Sequence, residues 1–238
     1  MADPNETLLD HVDVWIFDLD NTLYHASHRL FDQVDRRIGG FIEGLLGVDP
    51  IEARRLQKDY FRAHGTTLRG LMDRHGVEPD AFLDFVHDID YSPIPRSEAL
   101  AKALGELPGR KLIFTNGTVE HAERVCERLG VWQHFEAVFD IVASGYVPKP
   151  SPGPYAQLLD RHRVDPLRAA LFEDIARNLE PAHALGMTTV WIRTDSAWGA
   201  EGAAGVHVHH ATDDLASWLA ALVARRRASL TGRGPPVG

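Results

Sequence analysis

Residues 13–24 read DVWIFDLDNTLY. The stretch runs from apolar residues into two aspartates, Asp18 and Asp20, then into Asn21-Thr22 and an aromatic side chain. On a strand, alternate residues point the same way, so both carboxylates face one site near the strand's carboxyl end. That end is where open α/β sheets bind ligands. Two carboxylates held together repel, which raises one pKa unless a cation intervenes, and a hard divalent ion with oxygen ligands is the natural remedy. Alone, such a pair reads more readily as a solvated turn in which an aspartate caps a helix, so the rest of the chain has to decide.

Further short apolar runs at 111–115, 137–142, 169–173 and 188–193 read, with 13–17, as buried strands. Helical patterns separate the last four. Val119, Ala122, Val125, Cys126 and Leu129 share one helical face, and ARNLEPAHALGM leads from the fourth strand to the fifth. This alternation predicts right-handed βαβ crossovers: an α/β fold with a Rossmann-like, mostly parallel sheet and helices on both faces. TDDLASWLAALVARR is expected to form the last helix, with Thr212 as its N-cap. Residues 226–238 are expected to be a flexible tail.

Between the first two strands lie about 90 residues, where a crossover needs roughly a dozen or more. Residues 27–91 contain no convincing strand but several amphipathic stretches, and Asp49-Pro50 supplies an N-cap followed by a proline at the first helical position. We therefore expect a small all-helical domain at 27–91, inserted after the first strand of a discontinuous core domain spanning 1–26 and 92–225. YSPIPRSE reads as the return linker.

The 238 residues are 44% hydrophobic, enough for a sizeable core. Twenty-five basic against 34 acidic residues give a formal charge of -9, which argues against a nucleic-acid polymer or an anionic membrane as partner and leaves small anions at a local positive site. The single cysteine, Cys126, has no internal disulfide partner, and the acidic start MADPNETLLD is unlike a secretory signal. No apolar run approaches the ~18 residues of a membrane span. These features predict a cytoplasmic protein with a small-molecule substrate; monomer and homodimer both remain open.

The other strand ends also carry polar groups. After the second comes TNGT, where Thr115 and Asn116 offer a hydroxyl and an amide and Gly117 and a helix start expose backbone N–H groups, a phosphate cradle or simply a capped turn. After the third, Lys149 sits between prolines in VPKPSPGPY, and the fourth ends in Glu173-Asp174, which alone would read as helix capping. HVHH at 207–210 lacks cysteine or acidic partners at metal-site spacing and reads as a surface connection.

Four successive strand ends thus bear an acid pair, a hydroxyl, a lysine and an acid pair. The set resembles the four motifs of the haloacid dehalogenase-like superfamily: Asp18-x-Asp20-x-Thr22, Thr115, Lys149 and Glu173-Asp174. DLDNTLY, HGTTLRGLMDRHGVEPDAFLDFVHDIDY, IFTNGTVEHAERVCERLG and KPSPGPY are similar to its pyrimidine 5'-nucleotidase branch, which removes phosphate from UMP or CMP. The resemblance implies a phosphatase with Mg²⁺ as cofactor and an aspartyl-phosphate intermediate. Asp18 is then the nucleophile and Asp20 the proton carrier, its pKa raised by its neighbours; Asp18, Asp20 (through its backbone carbonyl) and Asp174 bind the metal, with Glu173 as a further candidate. Thr115, Asn116 and Lys149 would hold the phosphate. Thr22 would fix the backbone after the acid pair, and Asn178 would orient Lys149 or a ligand. The insert would act as a cap, with Tyr24, His28, Thr66, Thr67 and Arg69 as candidate substrate contacts. A sugar-phosphate or phosphoglycolate phosphatase, a phosphomutase, and a catalytically silent binding protein of the same fold are the alternatives.

Overall fold

Every residue of VWIF is buried because the strand it forms, β1 (Val14–Phe17), lies in the middle of a sheet. The structure, a computed structural model, describes residues 9–231. After β1 come α1 (Leu30–Leu46), α2 (Pro50–His64), α3 (Thr67–His75), α4 (Pro79–His87) and α5 (Glu98–Glu106). Then follow β2 (Arg110–Phe114), α6 (Val119–Leu129), β3 (Ala137–Phe139), α7 (Pro152–His162) and β4 (Ala169–Glu173). The chain closes with α8 (Glu180–Ala184), β5 (Thr188–Ile192), β6 (His210–Thr212) and α9 (Leu215–Thr231). Among the described residues the six strands form one parallel sheet in the order β3-β2-β1-β4-β5-β6.

The apolar alternation of β1 feeds two separate layers. Trp15 and Phe17 pack with α5, α6 and α9 on one face, whereas Val14 and Ile16 pack with α7 and α8 on the other. Phe17 stacks on Phe172 of β4 at 4.6 Å, and the Trp15 indole donates to the Pro108 carbonyl at 2.7 Å. Full burial of each of these large side chains stabilises the fold by roughly 1.5–3 kcal/mol. The chain winds outward from β1 to β3, then returns to β4 on the other flank of β1. Connections leaving β1 and β4 therefore diverge, opening a crevice at their carboxyl ends.

The four helices between β1 and α5 have an apolar cluster of their own, including Val34, Ile42, Leu71, Phe82 and Val86, which Ile141 enters from the loop after β3. Asp49 caps α2 by accepting from the Ile51 and Glu52 amides, with Pro50 in the first turn. Gly70 lets α3 lie against α2, since a Cβ there would come within 2.4 Å of the Tyr60 Cβ. Phe61 of α2 meets Trp198 of the sheet-bearing part at 4.4 Å between ring centroids.

Some boundaries differ from the sequence expectation. β3 ends at Phe139 because Asp140 turns the chain, its carboxylate accepting from the Val119 and Ala143 amides. β6 was not anticipated; it has three residues, and its first, His210, belongs to the histidine run read as a connection. Thr212 ends that strand, and the cap of α9 is Asp214, which accepts from the Ser217 amide at 3.1 Å and its hydroxyl at 2.7 Å. The helix runs past the expected tail boundary at 226 to Thr231, with Arg226 donating to the Val12 carbonyl and lying over the Trp15 ring. The rest of the expected tail lies outside the described residues. No helix among them is long and apolar enough to cross a membrane.

Candidate active site

Asp18 follows the last residue of β1, and its amide extends the ladder by donating to the Phe172 carbonyl at 2.9 Å. This places it beside the end of β4. Oxygens of Asp18, Glu173 and Asp174 lie within 4.8 Å of one another, all three residues being buried. Lys149 reaches in from the loop after β3, its Nζ donating to Asp18 at 2.7 Å, Glu173 at 2.8 Å and the Phe114 carbonyl at 2.8 Å. Thr22 donates its hydroxyl to the other Asp18 oxygen at 3.0 Å.

The surrounding amides hold these groups in place. The Lys149 backbone N–H donates to Asn116 Oδ1 at 2.9 Å, so the Asn116 side chain clips the lysine loop to the end of β2. Asn178 Nδ2 donates to Glu173 Oε1 at 2.7 Å and the Ile175 amide to Oε2 at 2.8 Å. Asn178 thus acts on Lys149 through Glu173. Thr115 Oγ1 accepts from the Gly117 amide at 2.9 Å, shaping the turn before α6.

Three carboxylates against one ammonium leave an excess of negative charge. Burial pushes the Asp18 pKa up to about 7, with Lys149 pulling down and Glu173 pushing further up. Asp174 is carried well above the usual carboxylate range by burial and then by Glu173 and Asp18. Burial disfavours the Lys149 charge, but Asp18 and Glu173 outweigh it and raise that pKa. Buried hard oxygen donors with surplus negative charge fit a divalent cation of the Mg²⁺ type.

Asp20 occupies different surroundings, and its side chain lies outside the acid cluster. It accepts from the Tyr24 hydroxyl at 2.6 Å and lies 2.9 and 3.1 Å from His121 Nε2 through its two oxygens. Burial works to raise its pKa, yet the charge and hydrogen bond of His121, then the bond from Tyr24, bring it below the ordinary value. This reverses the sequence expectation of a raised pKa: the neighbours are donors, not carboxylates. Tyr91 donates to the His87 carbonyl and sits 3.0 Å from His121 Nδ1, which makes Nδ1 the donor in that contact. The Nε2 contact with Asp20 then holds a proton on one partner or the other.

Sequence reasoning missed His121, Tyr91 and His87. The available signal was an imidazole in the first turn of the helix after β2, beside apolar positions that bury that face. Tyr24, by contrast, was expected to touch substrate and is buried with its hydroxyl on Asp20. His28 borders a groove of about 490 Å³ that Tyr24, Arg96, Arg193 and Asp214 also line and that none of the clustered acids reaches. Thr66 caps α3, Thr67 donates to the Gln57 carbonyl and Arg69 pairs with Asp73, so their polar groups are engaged within the insert. The segment nevertheless adjoins the site: a Cβ on Gly65 would lie 3.0 Å from the Pro148 ring and 3.7 Å from the Lys149 carbonyl oxygen.

A family model for the haloacid dehalogenase-like hydrolases matches residues 12–186. The chain belongs to this family. It is also 27% identical over 193 residues to phosphate metabolism protein 8 of Saccharomyces cerevisiae, a match that covers 73% of this chain and 59% of that protein. Among solved structures, CbbY from Rhodobacter sphaeroides in complex with phosphate is similar with a TM-score of 0.59 at 19% identity, covering 86% of this chain and 95% of that one. YfnB from Bacillus subtilis, bound to magnesium, has a TM-score of 0.55 at 12% identity, covering 89% and 98%. L-2-haloacid dehalogenase from Xanthobacter autotrophicus has a TM-score of 0.51 at 18% identity, covering 89% and 88%. At these identities the likeness is one of fold.

Proposed function

We propose that this hydrolase is a Mg²⁺-dependent phosphomonoesterase of the pyrimidine 5'-nucleotidase type, acting on UMP or CMP. The observation that carries the reading is the buried set of Asp18, Lys149, Glu173 and Asp174 at the switch point of the sheet. The yeast relative's name and the phosphate in the CbbY structure support a phosphate ester as substrate class. The choice of pyrimidine nucleotide rests on the wording of the insert, GTTLRGL and HDIDY.

In this reading an Asp18 carboxylate oxygen attacks phosphorus, the bond to the ester oxygen breaks, and the proton held in the Asp20–His121 contact passes through Asp20 to that leaving oxygen. Asp20 then takes a proton from water, which attacks the aspartyl-phosphate; phosphate leaves and Asp18 is regenerated. Asp18, Asp174 and the Asp20 backbone carbonyl would hold Mg²⁺, which when bound would supply charge neutralisation for the transferring oxygens. Glu173 already receives Lys149, Asn178 and an amide, which suits it to holding Lys149 more than to ligation. Lys149, Thr115 and the Asn116 backbone hold the phosphoryl oxygens. The four inserted helices form a cap domain that excludes water and selects the leaving group.

The test is phosphate release from UMP, CMP, AMP, GMP and several sugar phosphates at equal concentration, with Mg²⁺ or with EDTA. Mg²⁺-dependent release favouring UMP or CMP is expected. A wide preference for a sugar phosphate overturns the nucleotidase reading, and release from none of them overturns the phosphatase reading in favour of a silent binding protein.

A further inference from the structure

His121 is 1% exposed, and both of its ring nitrogens are engaged: Nε2 with the two Asp20 oxygens and Nδ1 with Tyr91. Its flat face is covered by the His87 ring, which stacks at 4.5 Å and 19°. The two histidines come from different parts of the chain. His121 stands in the first turn of α6, anchored to the sheet, whereas His87 ends α4, the last of the inserted helices. His87 also roofs the turn after β2, since its Nε2 lies 3.7 Å from where a Cβ on Gly117 would stand. Tyr91, just beyond α4, locks the pair by bonding both the His87 carbonyl and the His121 ring.

We propose that His121 is a positioning residue that fixes the orientation of the Asp20 carboxyl, and that His87 stacked upon it couples this orientation to the seating of α4. The proposal rests on the reading of Asp20 as the group that protonates the leaving oxygen. A carboxyl that transfers a proton must present one oxygen along the ester bond, and a small misplacement in such a group is costly in rate. Tyr24 restrains only one oxygen of Asp20, while the His121 contacts span both and so set the plane of the group. Because His87 belongs to the insert, displacement of α4 uncovers the ring that holds Asp20. Proton delivery is thereby tied to the presence of the helices over the site.

The experiment compares wild type with His121→Gln, His121→Leu, Tyr91→Phe and His87→Leu on two substrates, UMP and p-nitrophenyl phosphate, with Mg²⁺ present. Nitrophenolate leaves without a proton, so kcat/KM for that ester bypasses the delivery step, whereas the uridine oxygen requires it. His121→Leu is expected to lose about 10–100-fold in kcat/KM on UMP, the usual scale for a group that orients a catalytic residue, with p-nitrophenyl phosphate little changed. His121→Gln places an amide donor near the Nε2 position and is expected to recover most of the loss. Tyr91→Phe and His87→Leu are expected to show the same selectivity at smaller magnitude.

Equal losses on both esters in folded His121 variants would overturn the proposal, as would unchanged UMP turnover. If His121→Leu does not fold, His121→Gln and Tyr91→Phe carry the comparison, and Tyr91→Phe losing both esters alike counts against it. Failure of the underlying reading has a separate signature: wild type hydrolyses neither ester, or Asp18→Asn retains activity, and the proposal falls with it.

Discussion

Asp18 and Asp20 leave the same strand end with one residue between them, yet they sit in opposite electrostatic surroundings. Asp18 shares its space with two further carboxylates and one ammonium, and its pKa rises to about 7. Asp20 is met by a phenol and an imidazole, and its pKa falls. The alternation that puts both side chains near one crevice does not give them one environment; what packs against each decides its chemistry. A cluster of buried carboxyls fits a cation, and a cage of donors holds a carboxyl in place.

Substitutions at the two sites should separate these environments. The largest effect is expected for Asp18→Asn, which removes the proposed nucleophile and should lower kcat on every phosphate ester by about 10³-fold or more while the protein stays folded. Circular dichroism and phosphate release check both halves, and appreciable turnover would break the assignment. Next, Lys149→Met leaves Asp18 and Glu173 without their buried cation. Breaking a buried pair on one side costs about 3–5 kcal/mol, to be read from urea unfolding without metal. A loss below about 1 kcal/mol, the scale of an exposed pair, would show that the cluster is far wetter than its geometry.

The pH dependence follows from the raised carboxyls. With a folded pKa near 7 against an ordinary 3.8, Asp18 keeps a proton in the folded state that the unfolded chain has already lost. Metal-free stability from this group therefore declines as pH rises between those values and is level above them. A cation bound by these carboxyls would replace that proton, so the Tm gain from saturating Mg²⁺ should be larger at about pH 8 than at about pH 5. Equal gains would detach the metal from these carboxyls. The smallest effect is expected for Tyr24→Phe, which removes one hydrogen bond to Asp20 and should cost about 1–3 kcal/mol, visible in the same urea titration.

Much of this was legible because strand ends in a parallel sheet are short-range features: apolar runs stop where acids, a hydroxyl or a lysine begin. DVWIFDLD fixes β1 and its two faces, and the length between β1 and β2 announces the insert. Contacts across sequence distance were not legible. Nothing in NGTVEHAERV states that His121 meets Asp20, 101 residues away, or that His87 stacks upon it. The bond from Tyr24 was hidden for a related reason, since an aromatic after the acid pair suits substrate contact or domain packing equally until its hydroxyl is found on Asp20. β6 escaped because three residues beginning with histidine, none of them buried, carry no apolar pattern.

The central claim is that Asp18 takes the phosphoryl group and Asp20 moves the proton. It is tested most directly by mixing Asp20→Asn with p-nitrophenyl phosphate and Mg²⁺, quenching in acid and locating any adduct by mass spectrometry. The first step needs no proton from Asp20 with this ester, but hydrolysis of the intermediate needs its base. The account predicts a burst of about one nitrophenolate per chain and a phosphoryl group accumulating on the peptide that carries Asp18. Steady release with no burst and no adduct, or an adduct on another residue, would contradict it.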